Sequence, residues 1–112
     1  MQLFDLAYLE HLASGDNEFL DSLIDIFVTN TPIAIDDIKE AFNRKDYETI
    51  HRTAHRIKPS IYFLKIDSIA NEIKALSMLD KVKLSEKDLK SAITKIDVIT
   101  KNVIIELKNN NH

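Results

Sequence analysis

The chain has 112 residues, 45% of them hydrophobic, a formal net charge of −3, one glycine, two prolines and no cysteine. That length supports one domain with a single core. The acidic balance leaves no electrostatic footprint for nucleic acid, and the missing cysteines exclude disulfides and thiolate metal sites. No apolar run approaches the roughly 20 residues of a membrane span, and the start lacks a basic-then-apolar leader pattern. The expectation is a single soluble, cytoplasmic domain over residues 1–112, with no membrane and no nucleic-acid partner. So little turn material points to helices rather than sheet.

The first expected element is short. Asp5 can cap a helix over LAYLEHLA, with Leu6, Leu9 and Leu12 as its apolar stripe, and Ser14-Gly15 stops it, glycine supplying the left-handed conformation. Asp16 caps a second helix to about Thr29, with Phe19, Leu20, Leu23, Ile24 and Phe27 inward. Thr31-Pro32 reads as a restart, a threonine N-cap before proline at the first helical position. This third helix can follow the second with only a kink between them. It turns Ile35, Ile38, Ala41 and Phe42 inward and leaves Asp36, Asp37 and Glu40 to solvent.

After a polar turn over Asn43 to Lys45, Asp46 caps the helix around which the chain is organised. Tyr47, Ile50, Ala54, Ile57, Ile61 and Leu64 follow at spacings of 3, 4, 3, 4 and 3, the seam of an amphipathic helix. His55 and Phe63 then project away from the seam, with Lys58 one turn beyond His55 and Tyr62 two turns beyond. Pro59 removes the hydrogen bond to the His55 carbonyl. The helix should nevertheless continue, kinked, because Ile57, Ile61 and Leu64 keep the seam in register across the proline. His51 and His55, at i and i+4, could share a metal ion, but Glu48 is the sole further donor in reach and no metal is expected.

Asp67 then caps DSIANEIKALSMLDK, with Ile69, Ile73, Leu76 and Leu79 as its stripe and Met78 as filler. Asp80 to Leu84 form a charged loop. Ser85 and Asp88 fit a capping box, opening a last helix whose seam runs through Leu89, Ile93, Ile96, Ile99 or Thr100, Val103 and Leu107. The tail, residues 108–112, should fray, and His112 is no site candidate. Four long amphipathic segments joined by short loops predict an all-α fold, an antiparallel up-down four-helix bundle with short N-terminal helical additions, working as a monomer.

The segment AHRIKPSIYFLKI, Ala54 to Ile66, resembles the signature of the histidine-containing phosphotransfer (HPt) family, roughly A-H-x-[LIM]-K-G-[SA]-x-x-x-[LIV]-G-[LIM]. Ala54, His55, Ile57, Lys58, Ser60, Leu64 and Ile66 match it; Pro59 and Lys65 stand where the family usually has glycine. The likeness extends over about Leu9 to Leu79 and reaches the last helix only in pattern. It implies a phosphorelay protein of a two-component system. His55 would accept a phosphoryl group from an aspartyl phosphate on a response-regulator receiver domain and pass it to another. Lys58 would stabilise the phosphoryl charge, and Pro59, Tyr62 and Phe63 would contact the partner. The chain would need no cofactor of its own, the Mg2+ residing on the receiver, and would have no kinase or ATPase activity. A hybrid histidine kinase is a further partner that the resemblance implies.

Two other readings compete. HRIKPS is superficially similar to the H-E-[LIF]-[RK]-[TN]-P motif of sensor-kinase dimerisation domains. Arg56, however, replaces the acidic residue, the proline comes one position early, and no glycine-rich ATP loop is present. A non-catalytic helical adaptor would also use exposed Tyr62 and Phe63, since aromatic residues are enriched at interfaces.

Overall fold

The computed structural model describes residues 3–109, apart from the side chains of Leu6 and Leu12. The expected part of the first stripe carried by those two leucines therefore lies outside the described residues, as do residues 110–112 of the tail. Among the described residues the regular structure is entirely helical: α1 (Leu6–Ala13), α2 (Asn17–Asn43), α3 (Tyr47–Phe63), a 3-10 turn (Asp67–Ile69), α4 (Ala70–Ser77) and α5 (Glu86–Asn109).

Aspartates start the first three helices as the sequence indicates. The carboxylates of Asp5, Asp16 and Asp46 accept the backbone N–H groups of Tyr8, Phe19 and Thr49 at 3.1, 3.0 and 3.1 Å. Each satisfies one of the donors that a helix N-terminus leaves unpaired. The stop of α1 uses two left-handed residues, Ser14 (φ 54°) as well as Gly15 (φ 84°).

The expected restart at Thr31-Pro32 does not occur. α2 runs through it as one 27-residue helix with Pro32 inside, and Thr31 is buried in mid-helix instead of capping. The register explains why: Phe27, Thr31, Ala34, Ile35 and Ile38 are all buried, so one continuous stripe faces the core on both sides of the proline. That packing outweighs the roughly 3 kcal/mol that an interior proline costs. Phe19, expected inward, is 48% exposed on the first turn of α2.

α3 also passes through its proline without a break and ends at Phe63. Its stop and that of α2 are built alike. Lys45 (φ 58°) and Lys65 (φ 52°) take the left-handed position usually given to glycine. The following amides, of Asp46 and Ile66, reach back to the carbonyls of Ala41 and Ile61 at 2.8 and 3.1 Å. The second stop is tied to the N-terminal segment, because the Asp5 N–H donates to the Leu64 carbonyl at 2.8 Å. The Lys65 ammonium also lies 4.3 Å from the Tyr8 ring centroid.

The next helix is shorter than its sequence pattern suggests. Asp67 begins a 3-10 turn instead of capping, and neither that turn nor α4 has a side-chain cap. At the far end, the amides of Met78 and Leu79 bond three residues back, tightening the chain out of the helix. The Ser77 hydroxyl also donates to the Lys74 carbonyl at 2.7 Å. α5 opens with Ser85 Oγ accepting the Asp88 N–H at 3.0 Å. Between the two readings of its seam, Thr100 is the buried one and Ile99 only partly so. Thr100 satisfies its hydroxyl by donating to the Ile96 carbonyl at 2.7 Å.

α3 packs against α2 and α4, α5 packs against the same two helices, and α1 lies on α2. The core between them holds Ile24, Phe27, Ile38, Ile50, Ile61, Ile73, Leu76, Ile96 and Val103 among others. Polar ties cross its edges: Lys39 to Asp97 at 2.6 Å between α2 and α5, and Lys95 to Glu72 at 3.2 Å between α5 and α4. No helix among the described residues is long and apolar enough to cross a membrane.

Candidate functional site

The site follows from how α3 is held. Ile50, Ala54, Ile57 and Ile61 are buried, with Thr53 beside them, and Leu64 closes the seam just after the last turn. These fix the rotation of the helix and hence what faces out. Tyr47, which the spacing also placed in the seam, is 44% exposed. It stands at the first position of the helix and lines a shallow cleft of about 320 Å³ with Leu79, Lys83, Leu84 and Leu89. The start of α3 is further secured at Asp46. The Thr49 hydroxyl, at 2.6 Å, and then the Thr49 amide donate to its carboxylate and hold it below the usual carboxylate range.

His55 is exposed, as are Pro59, Tyr62 and Phe63, while Lys58 is half-buried. The Lys58 ammonium lies 5.9 Å from the centroid of the Tyr62 ring, at the outer edge of cation–π range. The missing N–H of Pro59 leaves the carbonyl of His55 without its usual donor four residues on.

One turn before His55, His51 is half-buried, and the two ring centroids are 6.4 Å apart at an interplanar angle of 59°. His51 Nδ1 lies 3.6 Å from Asp80 Oδ1, which the turn after α4 brings across. No group of three His, Cys, Asp or Glu side chains able to hold a metal ion occurs among the described residues.

The other flank of α3 faces α2. Arg56 and Ser60 line a groove of about 310 Å³ with Ile26, Asn30, Ile33 and Ile57. An adjoining depression of about 390 Å³ mixes Arg44, Arg52 and Arg56 with Asp37 and Glu40. Sequence reasoning passed over Ile26 and Ile33, which are 52% and 58% exposed. Their signal was legible as two isoleucines seven residues apart that lie outside the α2 stripe. The neighbourhood of His51 and Asp80 carried no comparable signal, because 28 residues of chain lie between them.

An exposed imidazole on a doubly packed helix can act as a nucleophile through a free ring nitrogen. A nearby ammonium can offset negative charge that accumulates there. No protein-family model, curated protein or solved structure matches the chain.

Proposed function

We propose that the protein is a histidine phosphotransfer carrier of a two-component phosphorelay, with His55 as the phosphoryl acceptor. The observation that carries this reading is the exposed imidazole of His55 on an otherwise core-locked helix, followed one turn later by Lys58. Phosphoryl transfer asks a protein for positioning and charge neutralisation more than for covalent assistance. In this reading the Lys58 ammonium stabilises the transferring group, and Pro59, Tyr62 and Phe63 meet the receiver domain. The receiver brings the aspartyl phosphate and Mg2+. A soluble cytoplasmic monomer suits that work, and so does an antiparallel up-down arrangement of α2, α3, α4 and α5. The pairing of each of these helices with the next, and of α5 with α2, supports that arrangement.

A second reading has its own support. Ile26, Ile33, Tyr62 and Phe63 are all exposed, which suits an adaptor that binds a partner without chemistry. Incubation with a phosphorylated receiver domain separates the two. The carrier gains the mass of one phosphoryl group in acid-labile form, and the gain is lost in His55→Gln. Binding without any such gain supports the adaptor.

A further inference from the structure

The transfer assigned to His55 leaves one polar atom of the same helix unused. His51 Nδ1 is buried and has no hydrogen-bond partner, although Asp80 Oδ1 stands 3.6 Å away. A nitrogen lone pair facing a carboxylate oxygen is repelled, whereas an N–H in its place is attracted. Asp80 therefore favours a proton on Nδ1 and leaves Nε2 as the position where a second proton can enter. Several acids of α2, α3 and α4 pair elsewhere, while Lys74, Lys81 and Lys83 flank Asp80 in sequence. On α3, Glu48 lies 3.7 Å from Arg52; on α4, Glu72 pairs with Lys95. On α2, Lys39 pairs with Asp97 and Glu40 lies 3.8 Å from Arg44. Asp80 is the acid that faces His51, and His55 is the imidazole next to it.

Resting on the reading of His55 as the acceptor, we propose that His51, held by Asp80, takes up the proton that His55 releases and so becomes a second cation of the site. The free ring nitrogen of His55 forms the N–P bond as the donor's P–O bond breaks, and the donor aspartate leaves as a carboxylate. The phosphorylated ring now carries one positive charge and an N–H on its other nitrogen. That proton passes through solvent to His51 Nε2, which returns the His55 ring to neutrality. His51 becomes an imidazolium between the Asp80 carboxylate and the phosphoryl group. Onward transfer reverses the step, and reprotonation of the His55 ring improves it as a leaving group. Asp80 acts through His51 and is a positioning residue.

Phosphoramidate tests this without a partner protein: its P–N bond breaks, ammonia leaves, and the phosphoryl group goes to the histidine. Acceptance rates are followed by intact mass between pH 5.5 and 8.5 for the wild type, His51→Gln, His51→Lys, Asp80→Asn and His55→Gln. His51→Gln should accept about tenfold more slowly at neutral pH. That factor is the worth of one positive charge acting on a double negative charge at the 6.4 Å separation of the two rings in a water-like medium. Its pH profile should show one titrating step where the wild type shows two. His51→Lys, a fixed cation, should recover most of the rate without the second step, and Asp80→Asn should fall between. Equal rates and superimposable profiles for the wild type and His51→Gln overturn the inference and leave His55 as acceptor. A wild type that takes no phosphoryl group, or a His55→Gln variant that still takes one, overturns both.

Discussion

The two sides of α3 divide the work of one helix between them. On the inner side, Ile50, Ala54 and Ile61 are wholly enclosed and Ile57 nearly so. On the outer side His55, Pro59, Tyr62 and Phe63 lie in solvent, and Lys58 sits at the border. The inner residues are interchangeable in chemistry but not in volume, since a packed interior is sensitive to a single methylene. The outer residues are free in volume but not in chemistry. Stability and proposed reactivity are thus kept on separate surfaces of the same 17 residues, and substitutions on either side test that separation.

The largest effect belongs to His55→Gln. Phosphoryl acceptance from a receiver should vanish, while the melting temperature and helical circular-dichroism signal barely move, because exposed polar sites usually change stability by about 0.5 kcal/mol or less. A marked loss of stability in this variant breaks the comparison. Ile61→Ala is the mirror case. Truncating a fully enclosed isoleucine should cost about 2–5 kcal/mol in chemical denaturation, while the fraction that remains folded still accepts phosphate on His55.

Lys58 sharpens the border. If its ammonium acts on charge that develops during transfer, Lys58→Ala should lower the single-turnover rate more than it weakens binding of the unphosphorylated receiver. Equal losses would reduce it to a docking contact. Pro59→Gly should do the opposite, changing receiver affinity while phosphohistidine still forms, since it reshapes the surface and restores an N–H without touching the nucleophile.

The smallest effect lies at the edge of the core, where α5 meets α2. Burial pushes the Asp97 carboxyl up, but hydrogen bonds from Lys39 and Lys101 outweigh it and hold the group below the usual carboxylate range. A lowered folded-state pKa means the stabilisation is complete above the unfolded value of about 3.9 and is lost as pH falls through the folded value. The melting temperature should therefore drop on acidification below about pH 4. Asp97→Asn should start lower at neutral pH and drop less. Identical acid profiles would remove this bridge from the account.

Much of this was legible in the order of residues, and the two prolines show where legibility stopped. At Pro59 the buried positions stay in register across the ring, and the helix runs through. At Pro32 the local threonine–proline signal points to a restart, yet the buried register holds through Phe27, Ala34 and Ile38 and the helix continues. Capping chemistry is local and has several uses; continuity of a buried stripe depends on the whole helix. Phe19 and Tyr47 failed for a related reason. Each sits on the first turn of its helix, where the apolar pattern runs past the cover that neighbouring elements provide. The exposure of His55 and Phe63 follows from angular position, and that of Tyr62 from its spacing of two turns from His55. The approach of Asp80 to His51 does not, since a pattern along one helix says nothing about which turn of another will be set beside it.

Apart from α1, the packing list is short: α2 with α3, α3 with α4, α4 with α5, and finally α5 with α2. Among these four, the first three pairings join neighbours in sequence and the last brings together distant parts of the chain. Local pairings close quickly because little loop entropy is lost before contacts form. Folding is therefore expected to be fast, with the docking of α5 onto α2 and the tie of Asp5 to Leu64 as its slower, non-local steps, and α3, which has partners on both sides in the early pairings, as its first settled element.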